Sequence, residues 1–98
     1  MINDELRKEI DAIDDVLLDL FIKRMNLVID IAENKKQNGL PVFCPEREKD
    51  ILNKISEKTE PSLRPYACSF FSGLLSLSRA AQNRAIHGDD PNEIRTDR

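Results

Sequence analysis

The sequence predicts an all-α chain of three helices, the first of them too long for the rest of the chain to cover. Apolar residues recur at intervals of three and four, the helical period. No alternating β-branched run and no Asn-Gly hairpin flanked by strands is seen. Five prolines and three glycines in 98 residues leave room for long uninterrupted helices.

The first helix starts near Asn3 or Asp4, either of which can cap it, and Asp4 and Glu5 favour its positive end. Leu6, Ile10, Ile13, Leu17, Leu20, Phe21, Leu27, Val28 and Ile31 form its apolar stripe, and nothing breaks it before Gly39 and Pro41. A helix of about 34 residues is roughly 50 Å long. A compact domain of this size has a radius of gyration of only about 13 Å. The helix must project beyond the globule with its stripe uncovered, and a second copy of the chain is the expected cover.

The second helix opens at Pro45, a favoured first-turn residue, with Glu46 and Glu48 near its positive end. Ile51, Leu52 and Ile55 give it an apolar face, and it frays around 57–61. The third begins around Ser62, a possible cap, with Pro65 in the first turn. It runs to about His87 and stops at Gly88. Between Tyr66 and Leu77 it is apolar almost all round, so it should be covered on several sides. The chain is expected to be one domain over 1–98, folded over about 4–87, with a charged, disordered tail from 88 to 98.

Composition narrows the function classes. Apolar residues are 40 % and charged residues 34 %, as in a soluble domain with a charged surface. The net charge of −3 argues against a nucleic-acid partner. The polar N-terminus lacks a secretory signal, and no apolar run approaches the ~18 residues of a membrane span. A cytoplasmic location without membrane partners is expected. Cys44 and Cys68 have no metal-ligand spacing and only His87 to help, so no metal is expected and both are read as reduced thiols.

Two cations break the pattern. On a helical projection with Leu17 at zero, Arg24 falls at about −20° and Lys35 at about 0°, in the middle of the apolar stripe. They are 11 residues apart, close to three whole turns. Snorkelling at a dimer edge is one explanation. A covered cation otherwise needs a partner, and Glu48, itself on an apolar face, could pair with Lys35 or Arg24. Even then, two cations and one carboxylate leave excess positive charge, the makeup of a pocket for a small anion.

Ser78 and Gln82, four apart on the third helix, continue the line of Phe71 and Leu75. Ser78 can bond back to its own helix, and Gln82 can be an exposed edge. Alongside the cations, both read as donors lining a pocket. Arg7 lies off the stripe and roughly 25 Å along the axis from Arg24. It is either a solvated surface arginine or, in an antiparallel dimer of long helices, one that approaches Arg24 of the other chain.

The segments LRKEIDAIDDVLLDLFIKRMNLVIDIAENK, PVFCPEREKDIL and LSRAAQ resemble the all-helical chorismate mutases in order and spacing, over about residues 4–86. The resemblance implies an intertwined homodimer with two equivalent sites. It implies that Arg24 and Lys35 are pocket cations of one chain and Arg7 the cation from the other. Glu48 would accept from the substrate's ring hydroxyl, Ser78 would bond a carboxylate, and Gln82 with Lys35 would donate to the ether oxygen. Arg47 matches a family arginine and supports the site. Cys44 stands where the family often has an acidic residue. If only the backbone N–H there serves the substrate the change is harmless, and otherwise turnover is weaker.

The implied activity is the [3,3] rearrangement of chorismate to prephenate, towards phenylalanine and tyrosine, without any cofactor. No proton moves in that step, so no triad, metal site or phosphate loop is needed. The nearest rival is an isochorismate pyruvate-lyase of the same fold, and the rival from another class is a non-catalytic helical dimer. With no further domain in evidence, a monofunctional enzyme is expected.

Overall fold

The computed structural model describes residues 3–88. The charged tail from 89 onward, expected to be disordered, lies outside the described residues. Three helices follow in order: α1 (Asp4–Gln37), α2 (Pro45–Lys58) and α3 (Arg64–His87). No strand occurs among the described residues. The class and the element order are those the periodicity predicts.

Two start signals act differently from expectation. Asn3 is the N-cap of α1 but makes no side-chain capping bond. Ser62 does not cap α3, which begins two residues later with Leu63 as N-cap. The Ser62 hydroxyl donates instead to Glu60 Oε1 at 2.7 Å, while the Leu63 and Arg64 amides close a turn on the Glu60 carbonyl. Arg64 then caps the preceding helix: its guanidinium donates to the carbonyls of Ser56 and Thr59 at the end of α2.

The end of α1 is closed by a glycine-centred stop. Gly39 has φ +65°, the left-handed region that costs other residues strain. The Leu40 amide reaches back to the Lys35 carbonyl at 2.8 Å and the Gly39 amide to the Lys36 carbonyl at 3.3 Å. This turn sends residues 40–44 back across the end of the helix, under the Lys35 side chain.

α3 packs between α1 and α2. The core of the single chain is small: Val28, Ala32, Leu74 and Leu75 are the buried apolar residues among those described. Every side chain from 3 to 20 is exposed, including Leu6, Ile10, Ile13 and Leu17 of the stripe. The middle of α3 is not covered all round, with Tyr66 73 % exposed and Phe70 and Leu77 about half exposed. The chain measures 53 × 36 × 22 Å with a radius of gyration of 16.8 Å, against about 13 Å for a compact chain of this length. The first half of α1 therefore projects with its side chains exposed.

Candidate active site

A cavity of about 240 Å³ lies where the second half of α1, the start of α2 and the C-terminal half of α3 converge. Arg24, Lys35, Glu48, Ser78 and Gln82 all line it, together with Cys44, Arg47 and Arg79. Five of the six residues singled out from the sequence thus meet at one place. The sixth, Arg7, is exposed on the projecting part of α1 and does not line this cavity. Val28, Ile31, Val42, Ile51 and Leu75 supply apolar wall. Such a volume lies below the ~300 Å³ at which drug-sized ligand pockets begin, so it suits a small metabolite.

The polar groups are tied to one another in pairs. Arg24 Nη1 donates to Ser78 Oγ at 2.6 Å. Ser78 Oγ donates in turn to the Leu74 carbonyl at 2.8 Å. The bond back to its own helix, one of the two readings of Ser78, is therefore present, and the same oxygen also accepts from Arg24. Ser78 is buried at 5 % exposure and Gln82 at 8 %. Gln82 is thus not an exposed edge.

Lys35 Nζ donates to Gln82 Oε1 at 3.0 Å and to the Val42 carbonyl at 2.8 Å. An ammonium has three protons, so one is left for a ligand. With Gln82 Oε1 engaged by Lys35, its NH₂ is the end free to donate. Lys35 is held from both sides because the Gly39 turn brings Val42 beneath it.

Glu48 does not pair with Lys35 or Arg24. Its Oε1 accepts from Arg79 Nη1. Arg79 is closer to Glu48 because it follows Ser78 on α3 and faces the start of α2. The sequence reading gave Arg79 no role, though a signal was there. It lies four residues after the buried Leu75, on the same face of α3.

The lining therefore holds four cations, Arg24, Lys35, Arg47 and Arg79, against one carboxylate. With Glu48 matched by Arg79, three positive charges remain in a partly enclosed site. The excess charge inferred from the sequence is present and larger than inferred. The arrangement offers mainly nitrogen donors, with the Glu48 carboxylate, the Ser78 hydroxyl and the half-buried Cys44 thiol beside them. Among the described residues no group of His, Cys, Asp and Glu is arranged to hold a metal, and no helix is long and apolar enough to cross a membrane.

The chain is 44 % identical over 55 residues to the T-protein of Enterobacter agglomerans, covering 56 % of this chain and 15 % of that protein. It is 49 % identical over 51 residues to the chorismate mutase of Methanocaldococcus jannaschii, 52 % of either chain. It is also 49 % identical over 51 residues to the bifunctional chorismate mutase/prephenate dehydratase of Aquifex aeolicus, 52 % of this chain and 14 % of that one. The aligned stretches thus span about half the length of the Methanocaldococcus relative and a small part of the other two. No solved structure gives a significant match. The model of the type II chorismate mutase family matches residues 6–83, so the chain belongs to that family.

Proposed function

We propose that this chain is a chorismate mutase, an isomerase converting chorismate to prephenate in aromatic amino acid biosynthesis. The observation that carries the reading is the Lys35–Gln82 pair on the wall of an apolar, cation-rich cavity. The family and the relatives named chorismate mutase support it.

Chorismate is a dianion that rearranges through a concerted shift in a diaxial chair. The protein has to hold that chair and favour the charge that develops. Arg24 has guanidinium protons beyond the one given to Ser78, enough to grip a carboxylate in a forked contact. Ser78 fixes the direction of that fork, and its hydroxyl can turn from the Leu74 carbonyl to the same carboxylate. Fixing both ends of the substrate in the reactive geometry lowers the barrier by positioning.

As the ether C–O bond breaks, negative charge collects on its oxygen. The third proton of Lys35 and the NH₂ of Gln82 are the donors suited to that atom, and they gain most in the transition state. One such donor is worth about 3–4 kcal/mol of barrier. The Glu48 oxygen not taken by Arg79 would accept from the ring hydroxyl. Arg47, also in the lining, adds positive potential.

The functional unit is a homodimer in this reading, one domain per chain. The four apolar residues buried among those described are too few to stabilise a chain of this size alone. The uncovered stripe from Leu6 to Leu20 supplies the missing contact area. Pairing two long helices antiparallel brings Arg7 of one protomer to the Arg24 end of the other, completing the second carboxylate's site.

The test is consumption of chorismate by purified protein, with the product identified. Prephenate is expected. Pyruvate released from isochorismate, with chorismate untouched, would instead make the chain a lyase. Inertness of a folded dimer to both would make it non-catalytic.

A further inference from the structure

Arg79 is the one cation of the cavity whose charge is already matched, and its surroundings give it a distinct task. Its Nη1 holds Glu48 Oε1, and both side chains are partly buried, 34 % and 20 % exposed. Its guanidinium carbon stands 5.2 Å from the centroid of the Phe43 ring, within the ~6 Å reach of a cation–π contact. Phe43 follows Val42, whose carbonyl holds Lys35. One side chain on α3 thus grips α2 through Glu48 and the connecting segment through Phe43.

Glu48 is the cavity's single carboxylate, and Arg24 and Lys35 line the same small space. A free carboxylate there would swing towards one of those cations, because opposite charges in a partly desolvated site attract strongly. The pair so formed would block the site for an anionic ligand.

We propose that Arg79 is a positioning residue that holds Glu48 against the wall and so keeps Arg24 and Lys35 open to a dicarboxylate substrate. It acts through Glu48 and not by touching the ligand. The inference rests on the proposed activity for its substrate, but the claim about the open cations does not need turnover.

Two sets of measurements test it. In the first, Arg79→Ala raises KM for chorismate about tenfold while kcat changes less than threefold, and Arg79→Lys restores most of the loss. In the Glu48→Gln background, which has its own deficit, Arg79→Ala costs less than twofold more, because no charge is left to restrain. An equal Arg79→Ala penalty in both backgrounds would overturn the proposal and put Arg79 in contact with substrate or in a purely structural role.

In the second, malonate serves as a dicarboxylate probe in thermal unfolding. It raises the Tm of the unsubstituted protein, raises that of Arg79→Ala much less, and raises that of the double variant nearly as much as the unsubstituted protein. Equal shifts in all three, or no shift in any, would refute the restraint. Failure of the unsubstituted protein to convert chorismate would refute the proposed function but leave the malonate comparison standing.

Discussion

Lys35 Nζ lies 3.0 Å from Gln82 Oε1, joining α1 to α3 across 47 residues of sequence. The pair is asymmetric in a useful way. The lysine gives one proton to the amide oxygen, which leaves the amide's NH₂ as the end free to donate. Two donors are thereby preset side by side, as the stabilisation of a developing oxyanion requires.

The pH profile follows from that geometry. An amide donates at any pH, so turnover should be flat across neutral pH with no acid optimum. In Gln82→Glu the carboxyl must be protonated to donate, so its rate should climb as pH falls towards the ~4.3 of an ordinary glutamate. Measuring kcat/KM against pH for both proteins checks this, and a steep acid rise in the unsubstituted protein would remove Gln82 from its role.

Ser78 is the acceptor that aims Arg24, at 2.6 Å. Hydrogen bonds to charged groups contribute about 1.5–3 kcal/mol. Ser78→Ala should therefore lower kcat/KM by about 10- to 100-fold, mostly through KM, while the far-UV circular dichroism stays unchanged. Steady-state kinetics separates this from a folding defect.

The sequence exposed the fold and most of the site because both depend on local periodicity. Arg24 and Lys35 were visible as charges inside an apolar stripe, and Ser78 and Gln82 as polar groups continuing one. The partner of Glu48 was not visible, because choosing among Arg24, Lys35 and Arg79 depends on how α2 lies on α3. Ser62 misled for a related reason: its hydroxyl has an equally near acceptor in Glu60. The proposed place of Arg7 is on another chain, which the periodicity of one helix does not encode.

The apolar stripe of α1 predicts obligate association. Leu17→Lys puts a charge in the middle of the uncovered stretch. Light scattering should show a dimer for the unsubstituted protein and a monomer, or an unfolded chain, for the variant. A folded, monomeric and active protein would contradict the dimeric site.

The Gly39 turn sets the Val42 carbonyl beneath Lys35. A side chain at φ +65° is strained, by roughly 1–2 kcal/mol. An added Cβ there would meet no neighbour within 4 Å, so backbone strain is the whole cost. Urea unfolding of Gly39→Ala should show a loss of that size.

The most direct test of the account is the chorismate turnover of Lys35→Ala. The account predicts a variant that folds and dimerises like the unsubstituted protein and has lost nearly all turnover, about a hundredfold or more. A variant that kept most of its rate would show that Lys35 serves the structure, and that the cations on the apolar stripe are not there for the substrate.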